Sequence, residues 1–294
     1  MATAVETVER RTPGLRTSPQ SATTLFSGPH IGEFAYELLS AGVARRATRR
    51  FGKCIVCTRP DRFAIHTDYA TECVPHPFQC VGICCTARSD TAPRFEDMAA
   101  LVPSGATWER PVDLVDRWIQ RGEYIVYGNR DPQWKGAIVL HARARGEHCP
   151  ERNWPRDRWN RLGRTLASRG GNRRLVCIGT KEQAYPVEGC VDMRGVPLQG
   201  AMDILRSAWV AIGVSSGPMH LASMCGCPHV VWCGGPERYR TKVYYEGLWN
   251  PHRTWVHAHI NEAETWQPPF EIVWEWVESD LSELERSNAG QDRN

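Results

Sequence analysis

The chain has 294 residues with 36 basic and 33 acidic side chains, a formal net charge of +3. A hydrophobic content of 41% with 23% charged residues excludes a disordered chain, and the length suffices for two ordinary domains, each with its own core. So small a net charge excludes a diffuse electrostatic grip on nucleic acid, and 12 cysteines in a chain this long are too sparse for a disulfide scaffold.

Residues 1–22 mix acids with arginines and lack an apolar core segment, which predicts a polar tail rather than a secretory signal or transit peptide. No apolar run approaches the roughly 18–20 residues of a membrane span. The expectation is a cytoplasmic protein with reduced thiols. TTLFSG (23–28) predicts a short buried strand, followed by the loop GPHIG and a helix in which Phe34, Leu38, Leu39 and Val43 recur at helical spacing. KCIVCT (53–58) reads as a second strand. A helical pattern over 112–122 leads into YIVYG (124–128), read as a third, and NRDPQWKG (129–136) reads as a linker.

The second half has a regular rhythm. Strands are predicted at 137–145, 174–180, 209–214 and 229–235, and helices at 154–171, 196–208 and from 217. Short apolar runs alternating with helices predict parallel sheets covered on both faces, that is, two Rossmann-like α/β domains. The domains are expected at 23–130 and 131–270. An amphipathic helix at 271–287 and a tail at 288–294 complete the chain.

Val214-Ser215-Ser216-Gly217-Pro218-Met219-His220 places two serines, a glycine and a proline between a strand and a helix. Serine or glycine caps a helix and proline suits its first turn, so a positive dipole end stands at the carboxyl edge of a parallel sheet. That is an anion site, within reach of His220 in the first turn. An ordinary capped helix with a packed histidine is the alternative. Arg143 and Arg145, leaving the strand at 137–145, share a face if that segment is extended, and an arginine fork suits a diphosphate. A solvated basic loop is the alternative there.

SSGPMHLA (215–222), between WVAIGV and GCPHVVWCGG, resembles the donor-site signature of the heptosyltransferase-like enzymes, glycosyltransferase family 9. The upstream order NWP…W…L, a strand ending in IG, and then RG-x-PL agrees with that family over residues 137–235. His-x-Arg at 141–143 is similar to the diphosphate-binding element of fucosyltransferases with the same two-domain architecture. The resemblance implies a GT-B fold with a cleft between its domains, and a nucleotide-diphosphate sugar held in the second domain by Ser215, Ser216, Gly217, Met219, His220, Arg143 and Arg145. It places Lys181 and Glu182 at the nucleoside. Ser215 departs from the aspartate usual at its position, which bears on the donor sugar.

The resemblance also implies a catalytic base at Glu33, in Gly32-Glu33-Phe34, where heptosyltransferases carry glycine-aspartate-valine. Glu37, four residues on and on the same helical face, is the fallback base. The alternative for Glu33 is simple stabilisation of a helix N-terminus. The implied activity is a metal-independent, inverting glycosyl transfer from the nucleotide-sugar to an acceptor hydroxyl, with the final helix returning to the first domain. The acceptor is a glycan by family default, or a modified nucleobase, the one way nucleic acid would enter. No metal site and no cofactor beyond the donor are expected, and no Asp-x-Asp occurs in the chain.

Two alternatives stand beside this reading. One is a nucleotide-sugar 2-epimerase on the same fold. The other is a non-catalytic binding protein with zinc held by Cys54, Cys57, Cys73, Cys80, Cys84 and Cys85. Cys54 and Cys57 lie in an apolar run, and in a strand residues three apart face opposite ways.

Overall fold

The computed structural model describes residues 23–78, 93–110, 122–146, 149–169, 171–234, 244–261 and 265–291. The first sheet has the order β3-β2-β1-β4, from β1 (Thr24–Ser27), β2 (Lys53–Thr58), β3 (Glu72–Pro75) and β4 (Thr107–Glu109), paired in parallel. The second is also parallel and has the order β10-β9-β8-β5-β6-β7. Its strands are β5 (Ile138–His141), β6 (Leu175–Cys177), β7 (Val191–Asp192), β8 (Val210–Val214), β9 (His229–Gly234) and β10 (Val256–Asn261). Every residue of β8 and β9 is buried, as continuous apolar runs in a sheet covered on both faces must be.

The helices are α1 (Phe34–Thr48), α2 (Phe95–Ala99), α3 (Arg156–Ser168), α4 (Leu198–Ser207), α5 (Gly217–Met224) and α6 (Phe270–Gln291). α1 is buried nearly all round, in keeping with its alanines and glycine. Ala47 packs with Leu25, Cys54 and Val56 of the first sheet, whereas Ala35, Leu38 and Leu39 belong to the large core of the second half. α1 therefore lies between the two sheets and touches α5.

The strand expected at 124–128 is a connector instead. Its polar backbone groups are taken by helices and loops: Glu123 N–H donates to Gly42 O, Tyr127 N–H to Met224 O, and Ile125 O accepts from His252 Nε2. The run is apolar because Tyr124 packs on Gly42 of α1 and Tyr127 is buried in the large core. Arg45 of α1 fixes it further, pairing bidentately with Asp68 (2.5 and 2.9 Å) while donating to Glu123 O and Tyr127 Oη. The helix expected at 112–122 lies outside the described residues, except for Gly122, as does the predicted N-terminal tail.

α6 also differs from expectation. It buries Val273, Val277, Leu281 and Leu284 in the second half's core. Arg169, which follows α3, pairs with Glu278 and Glu285, and Asp280 bonds His257 and His259 of β10. Among the described residues, these contacts hold the helix to α3 and β10. It also runs on to Gln291, into the stretch read as a tail.

Cys54 and Cys57 fall into opposite core clusters, so the C-x-x-C does not converge. Burial pushes their thiols up to about 12 and about 11. Cys80, Cys84 and Cys85 lie outside the described residues. Among the described residues no helix is long and apolar enough to cross a membrane, and no three His, Cys, Asp or Glu side chains are grouped to hold a metal ion.

Three buried histidines make stability sensitive to acid. Burial lowers His30 to about 3, and His141 and His229 to about 4, from an ordinary 6.5. The folded state keeps them neutral while the unfolded chain protonates, so stability is full above pH 6.5 and falls as pH drops towards those values. At about pH 5 each costs on the order of 2 kcal/mol. Urea midpoints should therefore fall steadily below pH 6.5, and a flat profile from 6.5 to 5 would contradict this burial.

Candidate functional site

β8 ends at Val214, and Ser215 and Ser216 lead into α5. Gly213 lacks a Cβ where one would meet Met219 Sδ at 2.6 Å, so α5 seats closely on the sheet. Met219, which the resemblance places at the donor, has its side chain packed in the core and is 1% exposed. Ser216 is the extended N-cap. Its hydroxyl makes no capping bond and is buried without a partner. Ser215 is buried, its N–H on Trp232 O (2.9 Å) and its Oγ accepting from Tyr245 Oη (2.8 Å). His220 is packed: its ring stacks on Tyr245 (4.7 Å) and lies against Trp249 (4.2 Å), with Nε2 3.2 Å from Tyr245 Oη.

Arg143 follows β5 and is 2% exposed. Its guanidinium donates to Cys149 O (2.9 Å) and to Asn153 Oδ1, while Asn153 also bonds the N–H and carbonyl of Arg145. Arg145 is half-buried, and the shared carboxamide ties both arginines to one loop. Arg152 is buried too, donating to Ser215 O and stacking over Trp266 at 4.5 Å. Burial, then the charges of Arg152 and Arg145, lower Arg143 to about 10. Positive charge is thus concentrated beside the N-terminus of α5, the electrostatics an anion seeks. Lys181 and Glu182 are exposed on the loop after β6, which is stitched to Arg143 through Ala144 N–H to Gln183 O and Tyr185 N–H to Ala142 O.

The carboxyl edge of the first sheet carries the loop 28–33. Gly28 has φ +120°, and a Cβ there would strike Cys57 O at 2.3 Å. Glu33 is the N-cap of α1 with no side-chain capping bond. Glu37, the fallback base, is engaged elsewhere. It is 3% exposed and its carboxylate accepts from Thr58 Oγ1, Arg62 Nη1 (2.6 Å) and His66 Nε2 (2.9 Å). Burial alone would raise its pKa, but the His66 hydrogen bond and the His30, Arg62 and His66 charges prevail and hold it at about 2. Such a carboxylate is too weak a base and too enclosed to take a proton from an acceptor.

These two edges meet. A Cβ built on Gly217 would lie 3.2 Å from Phe34 Cδ1, and Tyr36 packs edge-on against Trp249 at 5.7 Å. The N-terminus of α1, with Glu33, therefore abuts the N-terminus of α5, with Ser216 and Gly217. Arg62, Arg152, Asn153 and Tyr245 hold the candidate site residues in place and are given no role by the sequence reading. Asn153 alone carried a signal, in NWP; the others come from segments without a recognisable motif. Trp154 lies in the core, stacked among Trp159, Trp232 and Phe270.

No family model and no curated protein matches the sequence. Solved structures do resemble the fold. The glycosyltransferase family 9 protein of Veillonella parvula aligns over 89% of this chain and 97% of its own, at 12% identity and a TM-score of 0.57. The heptosyltransferase TibC of enterotoxigenic E. coli, described as dodecameric and iron-containing and solved with ADP-D-β-D-heptose, aligns over 90% and 76%, at 16% identity and 0.55. The ADP-heptose lipopolysaccharide heptosyltransferase II of E. coli aligns over 91% and 99%, at 13% and 0.53. At these identities the likeness is one of architecture: the chain has the heptosyltransferase-like fold of glycosyltransferase family 9.

Proposed function

We propose that this protein is a metal-independent, inverting glycosyltransferase of GT-B type, with a donor half at 131–270 and an acceptor half at 23–130. The observation that carries the reading is the abutment of Phe34 and Gly217, which puts a carboxylate-bearing helix start against a helix start backed by arginines. An acceptor hydroxyl attacks the anomeric carbon while Glu33 takes its proton. The bond from that carbon to the diphosphate oxygen breaks on the opposite face. The departing diphosphate gathers negative charge, which the α5 dipole, Ser216 and Arg143 stabilise. Glu37 holds the structure around the base.

Lys181 and Glu182 lie on the loop stitched to Arg143, which supports a contact with the nucleoside. Ser215 stands where the resemblance expects an aspartate and its Oγ accepts from Tyr245 Oη, so the donor sugar meets no carboxylate from that position. ADP-heptose, with which TibC was solved and for which heptosyltransferase II is named, is the first to try. The acceptor class is a glycan hydroxyl.

A thermal-shift panel of ADP-, UDP- and GDP-sugars tests the donor site. A true donor at about 100 times its Kd should stabilise the fold by roughly 2.7 kcal/mol. Stabilisation by none of them would remove the donor-site reading. Acceptor-dependent release of nucleoside diphosphate then separates transfer from epimerisation.

A further inference from the structure

We propose that Arg62 is a positioning residue for Glu33, gripping the chain on both sides of it. The residue stands in the short 3₁₀ turn Pro60–Ile65 after β2, remote in sequence from the loop it serves. Its Nη1 donates to Gly32 O at 3.0 Å, and its guanidinium lies 5.7 Å above the Phe34 ring, within cation–π range. Gly32 and Phe34 are the immediate neighbours of Glu33. The same Nη1 bonds the Glu37 carboxylate at 2.6 Å, which is itself held by Thr58 and His66. Glu37 lies one turn along α1 from Glu33. Arg62 therefore ties the turn before Glu33 to the helix after it.

This grip has a geometric consequence. Phe34 is the residue against Gly217, so the guanidinium that fixes the Phe34 ring also fixes how the start of α1 meets the start of α5. A base must sit within hydrogen-bond reach of the proton it takes, and a displacement of about 1 Å can cost on the order of 10² in rate. A lysine at this position keeps the charge but lacks the planar fork. The kinetic part of this inference rests on the transferase reading; the structural part does not.

The test compares wild type, Arg62→Lys, Arg62→Ala and Glu37→Gln by amide hydrogen exchange and by steady-state kinetics. The substrate is whichever nucleotide-sugar stabilises the wild type. Exchange at residues 31–36 should accelerate roughly ten-fold or more in each variant, while β8 and β9 stay protected. Turnover should fall by about 10–10² with KM for the donor nearly unchanged, and free guanidinium should partly restore Arg62→Ala. If Arg62→Ala does not fold, Arg62→Lys and Glu37→Gln are compared alone. Unchanged exchange at 31–36 would overturn the grip. Faster exchange with undiminished kcat would overturn its role in positioning the base. A wild type that transfers no sugar sinks the transferase reading instead, and the exchange measurement still decides the grip.

Discussion

Arg143→Ala should lower kcat by about 10²–10³, the usual cost of removing one preorganised donor from developing negative charge. The guanidinium is almost fully buried, and that burial, followed by the charges of Arg152 and Arg145, lowers its pKa to about 10. A group held in that way already bears the cost of desolvation, so under the proposed transfer it would meet the departing diphosphate without rearranging. Arg143→Lys should recover only part of the loss, since a point charge cannot bond Asn153, Cys149 O and a phosphate at once. The alanine variant also frees the Asn153 loop, so a urea midpoint is needed beside the kinetics. A kcat within three-fold of wild type at unchanged stability would show that the diphosphate leaves elsewhere, roughly as an uninvolved side chain would allow.

Glu33→Gln should lower kcat by about 10²–10⁴ while leaving donor-induced thermal stabilisation intact, because the amide keeps the shape and loses only the proton acceptor. The separation of these two readouts is the informative part. If Glu33 served only as a negative group near the start of α1, its loss would cost a few tenths to about 1 kcal/mol of stability and no rate. Full activity in Glu33→Gln would return the residue to that structural role.

Legibility followed burial and periodicity. β1, β2, β8 and β9 could be read because apolar runs in covered parallel sheets have no polar interruption, and Gly217-Pro218 marked the start of α5 because capping chemistry is local. β10 escaped because VHAHIN alternates at an edge, and β7 because two exposed residues carry no pattern. The connector at 124–128 imitated a strand, since a buried tyrosine, a half-buried one and the β-branched pair between them look like strand residues. In the proposed site, Glu33 and Arg143 are candidates by motif position alone, and the structure places them at the start of α1 and just after β5. The core packing of the Met219 side chain was not legible, because its motif gives no account of Gly213 below it. Glu37 was misread because Arg62 and His66, which disable it as a base, are 25 and 29 residues away and announce nothing in sequence.

The placement of α1 has a bearing on how substrates enter. Leu38 and Leu39 are interdigitated with the second half's core, so drawing the sheets apart as two rigid bodies would expose apolar surface and open packed contacts. Movement that keeps those contacts is a shear, α1 sliding over α5 in small steps set by side-chain ridges. Each step would shift Glu33 along the mouth of the proposed anion site rather than away from it. Binding energy from a donor would then register as a change in alignment between two helix ends, and catalysis would be gated by sliding rather than by opening.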